Sequence, residues 1–386
     1  MQYCLGELAS FHALSKNSRL SRLYNARFGR HPSGMEAAPT LLPNELTRYA
    51  YRARQAAIRL PLVAAHLGLR PFGKRRTVRP EPAAIKALQT QLLALQDRDC
   101  ENAERGLYPA RLLFDMPVAE YIKQLPSLAT EVLRSLRRSK QRLVRDLPEG
   151  VDLAAYPDYF RRNFHWQTDG YLSERSAAVY DIGVEFLFLG TADVMRRQIV
   201  PQVTRYLRER DATAGPARIL DVACGTGSAL NQLALAHPAE RYWGLDLSPY
   251  YLQHAGRRLT HVKNLSLVTE NAECMPLADG SFDVVTSVFL FHELPARARK
   301  NVLSEMRRVL KPGGLLVIED AAQLTEAEDL RVFLENFAAS MNEPFFADYI
   351  MSDLAAGMTE AGFSVSAVER CFLSKVVTAT RTPKLA

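Results

Sequence analysis

The sequence predicts an α/β fold in which a parallel β-sheet, covered by helices on both faces, follows an all-α region. Two observations predict this fold. From residue 217 onward, short apolar runs alternate with helical segments, and before residue 200 the apolar residues recur at helical spacing. A third observation concerns the end of the chain. Two β-prone runs, residues 364–371 and 374–379, are separated by a short turn and should pair antiparallel.

The N-terminal part of the chain carries the excess of positive charge. Residues 1–80 hold 14 Lys and Arg against three Glu, a net of +11, while the whole chain has a net charge of +7. The body is therefore mildly acidic, which disfavours a nucleic-acid-binding protein. Residues 1–43 are predicted to be a basic extension, either a targeting segment or a disordered region, with Met35 as an alternative start.

Residues 44–80 allow two interpretations. An amphipathic helix begins at Asn44, and the basic cluster Lys74-Arg75-Arg76 follows it. Such a segment can lie on an anionic membrane surface as a peripheral contact. Alternatively, the helix docks on its own domain and exposes a solvated charged face. The sequence has no apolar run of about 18 residues, so we expect no membrane-spanning helix.

The region 44–200 is predicted to be helical. Two apolar stripes at helical spacing predict core-facing helices, and their members are Ile85, Leu88, Leu92 and Leu95, then Val132, Leu133, Leu136 and Leu143. Residues 156–171 then concentrate six aromatic side chains around His165 and Asp169. This segment either lines an apolar substrate pocket or fixes the helical layer against the sheet, and both interpretations stay open.

The stretch 218–227, Arg-Ile-Leu-Asp-Val-Ala-Cys-Gly-Thr-Gly, joins a buried strand to a helix. Glycine suits such a loop because a side chain would keep a ligand away from the backbone and because left-handed dihedrals cost glycine little. The following helix offers unpaired N–H groups at its start. A polar, nucleotide-like ligand is therefore expected at the carboxyl end of this strand.

Further β-α units follow this loop. The predicted strands are 218–222, 241–246, 265–268, 282–289 and 314–319, and the predicted helices are 228–236, 249–259, 296–310 and 352–361. Connections of this length imply parallel strands with helices on both faces of the sheet.

Residues 217–380 resemble the class I S-adenosylmethionine-dependent methyltransferases, and in particular the branch of the ubiquinone and menaquinone C-methyltransferases. Five features carry the resemblance, namely residues 221–227 (Asp-Val-Ala-Cys-Gly-Thr-Gly), 244–246 (Gly-Leu-Asp), 271–283 (Asn-Ala-Glu-Cys-Met-Pro-Leu-Ala-Asp-Gly-Ser-Phe-Asp), 310–314 (Leu-Lys-Pro-Gly-Gly) and 362–363 (Gly-Phe). The resemblance implies a Rossmann-like sheet of seven strands, the last antiparallel, over residues 201–386.

A dinucleotide is the competing ligand for such a loop. Its G-x-G-x-x-G/A pattern needs a small residue where this chain has Leu230. The Asp-Gly-Ser-Phe-Asp segment and the antiparallel ending are also not required by a dinucleotide fold. These three features favour S-adenosylmethionine as the cofactor.

The resemblance implies a set of cofactor-binding residues, namely Asp221, Ala223, Gly225, Gly227, Asp246, Leu247, Asn271, Ala272 and Phe289. By resemblance, Asp246 accepts both ribose hydroxyls, Leu247 packs on the adenine, and Asp221 fixes the loop and the methionine ammonium. Family members usually carry Asp where this chain has Asn271, whose amide oxygen can still accept the adenine amino group.

Methyl transfer needs a base only if the acceptor keeps its proton. His292 follows the fourth strand and is the first candidate base, with Glu293 and Asp169 as weaker candidates; the alternative is a histidine that caps the next helix. By resemblance, residues 333–349 form a substrate cover. With residues 156–171, their aromatic side chains imply a small apolar or aromatic acceptor methylated on carbon or oxygen.

Alternative functions remain at this point. One is a lipid or nitrogen methyltransferase at a membrane surface, and another is a non-catalytic scaffold that binds S-adenosylmethionine. The five cysteines are scattered and lack C-x-x-C spacing, which predicts no zinc site and a reducing, cytoplasmic location. Position 296 is Ala where an H-E-x-x-H motif needs its second His, so no metal is predicted at His292 either.

Overall fold

A computed structural model describes residues 44–69 and 77–382 of the chain. These described residues pack as one compact unit. The division between a helical region ending at residue 200 and a sheet region beginning at residue 201 stays a prediction from the sequence. In the described part of the chain, no helix combines the length and the hydropathy that crossing a membrane requires.

One seven-stranded sheet forms the centre of the molecule. Its strand order is β3-β2-β1-β4-β5-β7-β6. The first five strands are parallel, and β7 pairs antiparallel with both β5 and β6. The strands are β1 (Arg218–Val222), β2 (Arg241–Asp246), β3 (Leu265–Thr269), β4 (Phe282–Val288), β5 (Leu310–Ala321), β6 (Phe363–Cys371) and β7 (Ser374–Arg381).

The predicted fold class is confirmed, including the antiparallel last strand. β1 and β4 lie in the middle of the sheet and are buried along nearly their whole length, as their continuous apolar runs predict. β5 is longer than predicted, because Leu310 already pairs with Phe282 across an irregular register before the regular ladder begins. The two crossover directions from β1 leave a crevice at the carboxyl ends of β1 and β4.

Cores on both faces of this sheet are formed with the α-helices of the described residues. These helices are α1 (Asn44–Leu69), α2 (Pro82–Glu104), α3 (Val118–Gln141), α4 (Glu174–Leu187), α5 (Ala192–Arg196), α6 (Val200–Glu209), α7 (Ser228–Ala236), α8 (Pro249–Arg258), α9 (Ala296–Val309), α10 (Arg331–Ser340), α11 (Phe346–Met351) and α12 (Leu354–Glu360). One core joins the sheet to α9, α11 and α12. The other joins it to α2, α5, α6 and α7.

The basic helix α1 docks on α2 through its arginines. Arg48 donates to the Glu104 carboxylate at 2.5 and 2.6 Å, and Arg52 pairs with Asp97. These contacts support the docked interpretation for the arginines concerned. The cluster Lys74-Arg75-Arg76 lies outside the described residues, and a membrane contact through residues 44–80 stays a prediction.

The two helical stripes are only partly buried, so their prediction as core stripes is partly wrong. Leu95 is buried, whereas Ile85 and Leu133 are 43% and 66% exposed. The reason is that α3 packs mainly on α4, through a small cluster that includes Leu128 and Val132. The rest of its apolar stripe therefore faces outward.

Candidate functional site

The glycine loop after β1 turns sharply at the carboxyl edge of the sheet. Ala223 and Gly225 have φ values of 57° and 55°, and Phe289, directly after β4, has a φ of 57°. Left-handed backbone at two residues that carry a Cβ is locally strained and is concentrated at functional sites. Gly225 faces open space, because a Cβ there would meet only a Tyr251 ring carbon at 3.9 Å.

Asp246, at the end of β2, closes the same loop. Its two carboxylate oxygens accept N–H groups of Gly225 and Ser248, each at 2.8 Å. A carboxylate has about four acceptor positions, so both oxygens keep room for further donors. Burial raises the pKa of Asp246 to about 6, against the lowering effect of these backbone bonds.

A first cavity opens at this edge, with about 790 Å³ of empty space including its mouth. Seven of the nine predicted cofactor-binding residues line it, namely Ala223, Gly225, Asp246, Leu247, Asn271, Ala272 and Phe289. Apolar side chains such as Val288 and Leu290 form much of the remaining wall. An acid with free acceptor positions beside an apolar slot fits a ribose next to a base, so these residues fit the predicted cofactor.

Asp221 and Gly227 are absent from the lining of this cavity. Asp221 is buried and accepts the Thr286 hydroxyl at 2.7 Å, and burial raises its pKa to about 7. A Cβ on Gly227 would lie 2.9 Å from a Leu259 methyl group, so this glycine permits close packing of α8 on the loop. The Asn271 amide oxygen accepts the Glu273 N–H at 2.9 Å, which stabilises the turn after β3.

The aromatic segment 156–171 lines the first cavity and also packs the helical layer against α8, while its lining of a substrate pocket stays a prediction. Tyr171 stacks on Phe164 with ring centroids 5.3 Å apart and meets Tyr251 of α8 edge to face at the same distance. The Ser248 hydroxyl donates to the Tyr171 carbonyl at 2.5 Å. Tyr171 and Phe164 both line the first cavity.

Helix α4 is held to the glycine loop by Asp181. Its carboxylate accepts the hydroxyls of Thr226 and Ser228 at 2.9 Å and pairs with Arg258 at 2.5 Å. Burial alone would raise the pKa of Asp181, but Arg258 and Arg196 lower it to about 2. The loop, α4 and α8 therefore share one buried ionic contact.

A second cavity of about 640 Å³ adjoins the first. Tyr180, Phe289 and Glu293 line both cavities, so the two meet at these side chains. The other walls of the second cavity are mainly apolar and include Val184, Leu187, Phe188, Phe333, Phe337 and Phe346. Three of these aromatics belong to the predicted cover segment 333–349.

The candidate bases differ in position. His292 is buried and lines the second cavity, and its Nδ1 lies 2.6 Å from Asp320 Oδ1. Burial alone would lower the pKa of His292, but Asp320 raises it to about 10. Glu293 lines both cavities and accepts the Tyr171 hydroxyl at 2.5 Å, and burial raises its pKa to about 7.

Asp169 is not brought to either cavity. Its backbone has a φ of 64°, and its carboxylate pairs with Arg175 at 3.0 Å. Two other residues, His165 and Glu343, lie beside His292 instead. Both stand in segments that the sequence analysis singled out, His165 in the aromatic segment and Glu343 in the predicted cover segment 333–349, but neither was a candidate site residue.

Comparison with known proteins identifies residues 219–314 as a methyltransferase domain. The demethylmenaquinone methyltransferase of Thermotoga maritima is 34% identical over 147 residues, which cover 38% of this chain and 58% of that protein. An uncharacterized methyltransferase of Synechocystis is 30% identical over 151 residues, or 38% of this chain and 67% of that protein. The chain thus spans about half to two thirds of the length of these relatives.

Solved structures are more distantly similar. An S-adenosylmethionine-dependent methyltransferase from Aquifex aeolicus is 21% identical with a TM-score of 0.33, over 42% of this chain and 81% of that one. The magnesium protoporphyrin IX methyltransferase of Synechocystis, with bound S-adenosylmethionine, is 17% identical with a TM-score of 0.35, over 49% and 81%. At such scores the fold assignment depends on the sheet order of the chain itself. With that sheet order and the sequence relatives, the chain belongs to the class I methyltransferases, whose methyl donor is S-adenosylmethionine.

Proposed function

We propose that the protein transfers a methyl group from S-adenosylmethionine to a carbon or oxygen of a small apolar or aromatic molecule. The observation that carries this proposal is the junction of two different cavities at Tyr180, Phe289 and Glu293. One cavity has a polar carboxylate end at Asp246, and the other is mainly apolar, with polar groups at His165, His292 and Glu293. A donor and an acceptor of different polarity can therefore meet in one place.

The first cavity would hold the methyl donor. Asp246 would accept the ribose hydroxyls with the acceptor positions that its backbone bonds leave open, and Leu247 and Ala272 would pack against the base. Gly225 would allow the ligand to approach the backbone. S-Adenosylmethionine supplies a methyl group activated by a sulfonium charge. The sulfonium end of the ligand would lie near Glu293, where the first cavity meets the second.

The second cavity would hold the acceptor. Its walls are mainly aromatic and aliphatic. Fixed positioning of two reactants can contribute about 7–11 kcal/mol to a transfer reaction. Transfer forms a bond from the methyl carbon to the acceptor, breaks the bond to sulfur, and releases the acceptor proton. Glu293 would take that proton; its lining of both cavities and its hydrogen bond from Tyr171 support this role.

The comparisons support the apolar character of the acceptor. Relatives from Thermotoga maritima and Staphylococcus haemolyticus are named as demethylmenaquinone methyltransferases, the second 38% identical over 112 residues, which are 28% of this chain and 45% of that protein. The aromatic walls of the second cavity suit a ring system of similar polarity. These two observations favour a small apolar molecule over a protein or nucleic-acid substrate.

The test is transfer of radiolabelled methyl groups from S-adenosylmethionine into a fractionated cell extract. We expect label in a low-molecular-weight fraction that partitions into organic solvent. Glu293→Gln should slow the transfer while leaving the affinity for S-adenosylmethionine unchanged. Label that appears only in protein or nucleic acid, or in no fraction at all, would contradict the proposal.

A further inference from the structure

The wall of the second cavity carries part of a cluster of side chains of the types that ligate metals. His165 and His292 line this cavity, Glu343 lies against both, and one donor atom of each of the three lies within 4.8 Å of the others. The three residues come from the aromatic segment, the turn after β4 and the loop before α11. We propose that they form a binding site for one divalent transition-metal ion of the zinc type.

The distances between the donor atoms are close to those around a tetrahedral zinc ion, although the three residues are far apart in the sequence. Nε2 of His292 lies 3.8 Å from one carboxylate oxygen of Glu343, and Nε2 of His165 contacts the other. Zinc bonds of about 2.0–2.2 Å in a tetrahedron place neighbouring ligand atoms roughly 3.4 Å apart. The observed spacing therefore needs only small side-chain movements around an ion.

Glu343 supplies an independent indication. It is 3% exposed, and its carboxylate is bordered by imidazole nitrogens, with Oε1 in contact with Nε2 of His165 and Oε2 at 3.8 Å from Nε2 of His292. A buried carboxylate needs a positive charge beside it, and a divalent ion between the three donor atoms would supply one. Glu293 faces the same gap, with Oε1 at 3.9 Å from His165 Nε2 and 4.0 Å from His292 Nε2. Imidazole and carboxylate together favour zinc or iron over magnesium.

The residues behind the cluster orient it as they do in known metal sites. Asp320 accepts from His292 through Nδ1 at 2.6 Å, so the opposite nitrogen points at Glu343. Asp320 is itself fixed by the N–H groups of Phe291 and Ala321 at 2.6 and 2.7 Å. A carboxylate that fixes the histidine ring in this way typically accompanies a metal-bound histidine.

Two hydrogen bonds bring His165 and Glu343 together on either side of their contact. The Trp166 indole donates to the Ser340 carbonyl at 2.9 Å, and the Asn342 amide donates to the Asn163 carbonyl at 2.7 Å. His165 and Trp166 both have left-handed backbone, with φ of 53° and 61°. Backbone strain of this kind persists only where the surrounding structure imposes it, so the packing around His165 fixes the position of its imidazole.

Because His165, His292 and Glu293 line the second cavity, a bound ion would have an open position there. An oxygen atom of the acceptor is the ligand that fits this position. This role of the ion rests on the proposed function, whereas its binding does not. A chain that binds zinc without methyl transfer, or transfers methyl without binding zinc, would separate the two proposals.

Metal binding is tested on the full chain after removal of metals with a chelator. Titration with Co²⁺ should produce visible d–d absorption that saturates at one equivalent, and Zn²⁺ should displace it, whereas Mg²⁺ should not. Glu343→Gln keeps the side-chain shape and should remove the Co²⁺ absorption. Asp320→Asn should weaken zinc binding about 10–100-fold while keeping one equivalent.

His261→Ala is the matched control, since His261 is exposed and lies outside the cluster. This variant should bind zinc as the wild type does, apart from any weak surface sites. The proposal is overturned if the wild-type chain and the His165→Ala, His292→Ala double variant retain equal zinc after dialysis. It is also overturned if the folded wild-type chain gives no Co²⁺ absorption.

Discussion

The two cavities differ in how the chain builds them. Apart from the aromatic segment 156–171 and Tyr180, the first cavity is lined by residues between Ala223 and Val302, within one run of β-α units. The second draws on His165, on helix α4, on the turn after β4 and on the segment containing α10 and α11. The proposed donor site thus belongs to the sheet edge, while the proposed acceptor site depends on segments added around that edge.

This difference teaches which changes should affect which ligand. Substitutions at the sheet edge should weaken binding of the methyl donor, and substitutions in the cover segment 333–349 should weaken binding of the acceptor. Helix α4 connects the two cavities, because its Asp181 binds the glycine loop and its Tyr180 lines both cavities.

The largest expected effect is at Asp246. Asp246→Ala would remove the two charge-assisted hydrogen bonds that we propose to the ribose, each worth about 1.5–3 kcal/mol, so the Kd for S-adenosylmethionine should rise at least about 100-fold. Asp246→Asn keeps one oxygen acceptor, so its Kd for S-adenosylmethionine should lie between those of the wild type and the alanine variant. Isothermal titration calorimetry measures both. Unchanged affinity in the alanine variant would remove Asp246 from the donor site.

The connection between the two regions is tested through two neighbouring ion pairs. Asp181→Ala breaks the buried pair with Arg258 and should lower the free energy of unfolding by about 3–5 kcal/mol. Glu174→Ala breaks the pair with Arg257 at 2.8 Å, which joins the same helices in solvent, and should cost less than about 1 kcal/mol. Urea unfolding compares them. Equal losses would show that α4 is not held by Asp181.

The apolar cover is tested at Phe337, which lines the second cavity and packs on Phe346 with centroids 4.7 Å apart. Phe337→Ala should raise the KM for the acceptor about 10–100-fold and leave the affinity for S-adenosylmethionine unchanged. Phe114→Ala, at a partly exposed aromatic that lines neither cavity, is the control. A weaker donor affinity in Phe337→Ala would contradict the division between the cavities.

The smallest effect concerns pH. Burial raises the pKa of Asp246 to about 6, and the ionised carboxylate is the form that accepts both hydroxyls. Affinity for S-adenosylmethionine should therefore be full above pH 7 and fall as the pH decreases through 6, by about tenfold at pH 5. Asp246→Asn should lack this dependence. A wild-type affinity that stays constant between pH 5 and 8 would count against the assignment.

Local signals predicted the first cavity better than the second. The apolar strand, the two glycines and the acid after β2 are close in sequence, and each has its own structural requirement, so their positions could be predicted. The contact of His165 with Glu343 could not, because it depends on how the cover folds back onto the aromatic segment. Metal motifs rely on short spacing, which this cluster lacks. Asp169 was a weaker candidate base and lines neither cavity, because sequence alone does not indicate its left-handed backbone or its pairing with Arg175.

The central claim is that donor and acceptor meet where the two cavities join. A crystal structure of the protein with S-adenosylhomocysteine tests it most directly. We predict that the ribose hydroxyls lie within hydrogen-bond distance of Asp246 and that the sulfur faces the junction at Tyr180, Phe289 and Glu293. A ligand bound elsewhere, or one whose sulfur points away from the second cavity, would contradict the account.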